Sequence, residues 1–178
     1  MKKVFILSAT PRKNGNSELL AQQFAKGAEE SGNIVTKVNV RDIELKFCLG
    51  CLYCSSHGAC VQKDGMNALY DEFSSSDVIV FATPIYYYEM SGQMKTFLDR
   101  LNPVYYRENK FKEVYLLATS ADTEERAMDG AVKGLEGWIE CFDGVELKGV
   151  IRATGVEKAG EVKDTPAFAA AYETGKTV

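Results

Sequence analysis

The 178-residue sequence contains no apolar run approaching the ~20 residues a membrane-spanning helix needs, and Lys2 and Lys3 precede too few apolar residues for a signal-peptide core. It contains neither GxxxxGK[ST] nor GxGxxG, so it carries neither the nucleoside-triphosphate loop nor the pyrophosphate turn of dinucleotide-binding proteins. Histidine occurs once, at His57, and one imidazole without a partner carries little acid–base mechanism. Basic residues are not in excess: 21 Lys and Arg stand against 25 Asp and Glu, a net charge of −4, which argues against nucleic acid or an anionic membrane as the main partner. Internal repeats, low-complexity tracts and signs of a second domain are also lacking. Five cysteines without a secretory signal point to a reducing, cytoplasmic setting.

What is present is enough apolar residue, 46%, to bury a substantial core, most simply as one domain over 1–178. Runs rich in Val, Ile, Phe and Leu predict strands near 3–7, 34–40, 77–82, 113–119 and 145–153. Helical patterns fill the gaps, near 17–31, 65–75, 91–102, 124–142 and 165–174. Five strands alternating with helices imply right-handed crossovers and a parallel α/β sheet covered on both faces. Ligands of such doubly wound sheets sit beyond the carboxyl ends of the strands, where the loops at 8–16, 83–90 and 120–123 would converge.

The first of these loops, with the residues that follow it, reads Ser8-Ala9-Thr10-Pro11-Arg12-Lys13-Asn14-Gly15-Asn16-Ser17. It offers hydroxyls (Ser8, Thr10, Ser17), side-chain amides (Asn14, Asn16), a guanidinium (Arg12) and the N–H groups of a helix start, a set suited to one terminal phosphate. An ordinary capped turn would read the same way. The second loop carries Pro84, Ile85, Tyr86, Tyr87 and Tyr88. Three consecutive tyrosines cannot all face a core, so some rings lie on the surface, against a flat ligand or in a subunit interface; ordinary packing is the plainer alternative.

Cys48, Cys51, Cys54 and Cys60, in an insertion at about 46–64, have metal-ligand spacing. An iron–sulfur cluster, zinc, and free or disulfide-forming thiols are the three readings. His57 inside this loop reads as incidental. Cys141 falls in a helix whose Ala131, Leu135, Trp138, Ile139 and Phe142 repeat as a buried face, and is expected in the core. Gly130, Gly134 and Gly137 share one helical face, inviting either close approach by a neighbour or a weakly stable helix.

Taken together, SATPRKNGNS, TPIYYYEMSGQMKTFLDR and the inferred sheet resemble the NAD(P)H-dependent FMN reductases of the flavodoxin-like fold, and CLGCLYCSSHGAC resembles the compact motif of the iron–sulfur flavoproteins. The resemblance spans roughly residues 1–153 and implies a three-layer sandwich with five parallel strands in the order 2-1-3-4-5. It implies FMN phosphate contacts from Ser8, Thr10, Arg12, Asn16 and Ser17, ring contacts from Pro84 to Tyr88, and an outer edge lined by Thr119, Ser120, Ala121 and Asp122. That third loop departs from the glycine-containing form common in relatives. NADH or NADPH would supply electrons to a small-molecule or protein acceptor, with a [4Fe-4S] cluster as a second centre, and the exposed aromatics would suit a homodimer or a dimer of dimers. No catalytic side chain is required, because the flavin carries the chemistry. A flavodoxin-type electron carrier and a zinc-binding interaction domain are the alternatives; Arg12, Lys13 and the tyrosines speak against the acidic surroundings of the former.

Overall fold

In the computed structural model, which describes residues 1–178, apolar residues that alternate along the strands divide the core into two halves. On β1 (Lys3–Ser8), Val4 and Ile6 point to one face while Phe5 and Leu7 point to the other. β3 (Val78–Tyr86) divides the same way, Val78, Val80 and Ala82 against Ile79 and Phe81. A strand buried on both faces reads as a continuous apolar run, which is why these segments are so hydrophobic.

With β2 (Ile34–Asn39), β5 (Glu113–Thr119) and β6 (Glu146–Ala153), these strands form a parallel sheet in the order β2-β1-β3-β5-β6. Counting only the five long strands, this is the predicted 2-1-3-4-5 arrangement. A two-residue strand, β4 (Glu89–Met90), pairs antiparallel with the end of β3, so the segment expected as a loop after residue 82 is largely a hairpin.

Helices cover both faces. α1 (Asn16–Glu30) and α7 (Pro166–Lys176) lie on the Val4/Ile6 side and pack closely. A side-chain carbon on Gly27 would run into the Tyr172 carbonyl oxygen, and one on Gly175 into that of Phe24. The opposite face takes α3 (Tyr70–Ser75), α4 (Gly92–Arg100) and α6 (Asp129–Ile139), with Phe73, Phe97 and Leu135 fully buried against Phe5 and Phe81. Of two short helices, α2 (Tyr53–His57) lies within the cysteine loop and carries Cys54, and α5 (Asn102–Tyr105) lies beside it. The predicted helices at 65–75 and 124–142 each begin instead with a 3-10 turn, Gly65–Ala68 and Glu125–Met128.

Two expectations about the 124–142 segment need correction. Cys141 is exposed, with its Sγ donating to the Gly137 carbonyl at 3.5 Å. It lies one turn beyond Gly137, whose missing side chain faces open space, so both sit on the outer side of the helix. The glycine stripe therefore serves a neighbour only in part: Gly130 lies against the Tyr88 carbonyl and Gly134 against Met90, whereas Gly137 meets nothing. The neighbour is the β3–β4 hairpin.

Candidate functional site

β1, β3 and β5 run in parallel, so their carboxyl ends deliver three loops to one edge of the sheet. There they enclose a cleft of about 230 Å³ lined by Thr10, Arg12, Gly15, Asn16 and Ser17 from the first loop, by Pro84, Ile85 and Tyr86 from β3, and by Thr119, Ala121, Val156 and Glu157 beyond β5 and β6. Ile85 and Ala121 also belong to an adjoining depression of about 220 Å³, whose rim carries Tyr87, Tyr88, Ser120 and Asp122.

The donors on the first loop differ in availability. Gly15 caps α1 without a side-chain hydrogen bond, leaving the first N–H groups of a 15-residue helix open towards the cleft. Ser17, in the first turn, is 1% exposed, and its hydroxyl has no hydrogen-bonding partner in the protein. The Ser8 hydroxyl is likewise buried and partnerless, but Ser8 is the last residue of β1 and does not line the cleft. The Thr10 Oγ1 accepts from the Arg12 N–H at 3.2 Å. Arg12 is exposed and its guanidinium donates to the Glu157 carbonyl at 2.9 Å, which holds it across the cleft mouth.

Two asparagines play other parts than the sequence suggests. The Asn16 amide donates to the Lys158 carbonyl at 2.9 Å and accepts from the N–H groups of Gly160 and Val162, so this side chain anchors the segment after β6. Asn14 is exposed, with φ 55°, outside the cleft lining, and its N–H donates to Glu18 at 2.6 Å. Glu18 is the residue that sequence reasoning missed. It is buried beneath the loop and bonded by Arg41 through both carboxylate oxygens, at 2.8 and 3.0 Å, with Lys37 at 3.9 Å. Burial raises its pKa, but the Arg41 and Asn14 hydrogen bonds and the charges of Arg41 and Lys37 outweigh that and hold the carboxyl below its usual range. A glutamate three places after the cap glycine, with Lys37 on the neighbouring strand β2 and Arg41 just after it, was the available signal.

Tyr87 and Tyr88 form the hairpin tip, both with positive φ (52° and 66°), as a type I′ turn requires. Tyr87 is fully exposed, while the Tyr88 hydroxyl donates to Asp122 at 3.0 Å. The Glu124 N–H and then this hydroxyl hold the Asp122 carboxyl low, and the same bond pushes the Tyr88 phenol up. Ser120 turns the third loop by accepting from the Asp122 N–H at 2.9 Å.

Cys48, Cys51, Cys54 and Cys60 line one cavity of about 60 Å³, together with Arg100 and Asn102. The chain reaches it through positive φ at Gly50, Leu52 and Gly58. No three His, Cys, Asp or Glu side chains lie close enough together to hold a single metal ion. Burial, with the nearby Cys48, Cys60 and Cys51 thiols adding to it, pushes the Cys54 thiol up. His57 takes no part in the lining; its ring stacks on Tyr53, with centroids 3.8 Å apart.

Comparison with known proteins bears on this geometry. An iron–sulfur flavoprotein of Archaeoglobus fulgidus is 40% identical over 107 residues, which cover 60% of this chain and 48% of that protein, so the chain spans about half the length of such a relative. A Bacillus subtilis protein provisionally described as an NAD(P)H-dependent FMN-containing oxidoreductase is 25% identical over 95% of this chain and 94% of its own length. An FMN-dependent NADH-azoreductase of Bacillus anthracis, solved with FMN, superposes with a TM-score of 0.70 at 15% identity, covering 99% of both chains, and confirms the flavodoxin-like fold. The family model for NADPH-dependent FMN reductases matches residues 2–155, and the chain belongs to that family.

Proposed function

We propose that the chain binds FMN in the cleft at the carboxyl ends of β1, β3 and β5, and passes electrons from NADH or NADPH to an acceptor such as a flavin, a quinone or a redox protein. The observation that carries this reading is the Ser17 hydroxyl, buried and without a partner at the open start of α1. A buried hydroxyl left unbonded costs about 1–3 kcal/mol, and a phosphate placed there satisfies it and the adjacent N–H groups together. Ser17, Thr10 and the first turn of α1 hold the phosphate, while Arg12 turns its guanidinium inward to neutralise it. Pro84, Ile85 and Tyr86 give the ring an apolar wall, Tyr87 and Tyr88 stand at its outer rim, and Ser120 and Ala121 line its far edge. Bound FMN supplies the hydride acceptor and the means of releasing electrons singly or in pairs. The protein orients it and shields one face from water.

We read the four cysteines as ligands of a [4Fe-4S] cluster rather than of zinc. Zinc draws four sulfurs to about 2.3 Å from one atom, and no three ligating groups here converge so tightly, whereas a cubane spreads its ligands over four irons. The name of the Archaeoglobus relative supports this reading. Cys48, Cys51, Cys54 and Cys60 would hold the group, which when bound carries single electrons.

The test is purification without oxygen, followed by stopped-flow mixing with NADH and with NADPH. The flavin absorbance should bleach, and oxygen or a quinone should restore it. A flavin reduced by dithionite but by neither nicotinamide would make the chain an electron carrier instead. Cys51→Ala should abolish iron incorporation and leave FMN bound, while Cys141→Ala should change neither. Iron content unaltered by Cys51→Ala would end the cluster assignment.

A further inference from the structure

Arg100, the last residue of α4, is among the largest fully buried side chains, and its carboxylate partner Asp64 is equally buried. Its Nη1 donates to Asp64 Oδ2 and, at 2.7 Å, to the Lys46 carbonyl; its Nη2 donates to Asp64 Oδ1 at 2.9 Å. Asp64 is fixed in turn by the N–H groups of Lys46 and Met66. The guanidinium is therefore locked in place before it reaches the cysteines. The same Nη2 points at Cys60 Sγ from 3.6 Å, and two residues on, the Asn102 amide points at Cys48 Sγ from 3.5 Å. The α4–α5 junction thus presents two N–H donors, one of them cationic, to two of the four sulfurs.

A buried ion pair is seldom worth more to stability than the apolar residues that might replace it, so its presence against this cavity calls for another reason. Four thiolates bring four negative charges, and each electron added to the group they hold raises the negative charge by one. Hydrogen bonds to the sulfurs and nearby positive charge favour that more negative form, and so raise the reduction potential.

We infer that Arg100 and Asn102 are positioning residues that set the reduction potential of the cysteine-held centre, an inference that rests on the cluster reading above. The test is a dithionite–ferricyanide titration of the anaerobically reconstituted full chain, followed by electron paramagnetic resonance, with iron content and FMN potential measured on the same samples. Arg100→Gln at unchanged iron content should lower the potential of the centre by at least 59 mV, tenfold in the one-electron equilibrium, and leave that of FMN where it was. Asn102→Leu, at an exposed position with no part in the ion pair, should move it the same way by less. Wild-type potentials in both variants would overturn the inference, even if Arg100→Gln were less stable, because a purely structural staple changes stability and not potential. Should Arg100→Gln fail to fold, Asn102→Leu decides alone. If the wild type takes up no iron, the cluster reading fails first, and the inference falls with it on the iron assay rather than the titration.

Discussion

Replacing Ser17 with Ala should make the protein without FMN more stable and make FMN bind more weakly, two effects of opposite sign from one hydroxyl. The side chain is 1% exposed and its Oγ has no protein partner, so without ligand it carries a desolvation cost of about 1–3 kcal/mol that alanine does not. Alanine is also the better helix former in the first turn of α1. For a domain of this length each kcal/mol is worth about 2–4 °C in Tm, so differential scanning fluorimetry of flavin-free protein should show a rise of that order. In the proposed complex the same hydroxyl would bond a charged phosphate. Its loss should cost about 1.5–3 kcal/mol, roughly ten- to a hundredfold in Kd, read by quenching of flavin fluorescence. Riboflavin, which lacks the phosphate, should bind both proteins alike. Arg12→Ala is the complement: its guanidinium is exposed and bonded only to the Glu157 carbonyl, so FMN affinity should fall by a comparable factor while flavin-free stability moves by less than about 0.5 kcal/mol. If Ser17→Ala weakened FMN and riboflavin equally, or lowered the stability of the flavin-free protein, the phosphate would not lie at the start of α1.

Two further outcomes test the frame around the cleft. Glu18→Gln should lower neutral-pH stability by about 3 kcal/mol, the low end for breaking a buried pair, since Arg41 keeps some solvent contact. Because the Glu18 pKa is depressed on folding, the stability it contributes is present above the ordinary value of 4.5 and lost as pH falls through the folded value. Urea titrations of wild type and variant should therefore converge below that pH, and a gap that persisted into acid would exclude the ion pair as its source. Gly27→Ala should destabilise by about 1–3 kcal/mol in thermal unfolding despite alanine's higher helix propensity, because the new methyl meets the Tyr172 backbone and α1 and α7 must part. A stabilised variant would mean that the two helices do not pack at this point.

The fold was legible because the sheet is buried on both faces. Val4 to Leu7 and Val78 to Ala82 are fully buried, and a strand in that position has to be apolar throughout, so the runs stand out and the helical stretches between them leave one economical topology. Cys141 was misplaced for the opposite reason. Leu135, Trp138 and Phe142 share the buried face, but Cys141 follows Gly137 by one turn on the outer side, and lying in the same segment as an apolar face does not put a residue on it. The extension of β3 to Tyr86 was hidden by Pro84, which marks a break in most strands; here it pairs with Thr119 at the very end of the β3–β5 ladder.

The first loop shows where reading by residue type stops. Ser17, Asn16 and Glu18 are consecutive and buried, and all three can form strong hydrogen bonds, yet one hydroxyl is left free, one amide is spent on the segment from Lys158 to Val162, and one carboxylate is locked to Arg41. Successive residues of a helix point about 100° apart, so three neighbours in the first turn must serve three different surroundings, and sequence adjacency carries no information about which surroundings those are. The division has a mechanical consequence. A phosphate site built from helix N–H groups and a single hydroxyl works only if the loop keeps its shape, and Asn16 and Glu18 brace it from two sides, towards the end of β6 and towards the end of β2. Side chains spent on bracing the loop therefore fix the place where the ligand would bind.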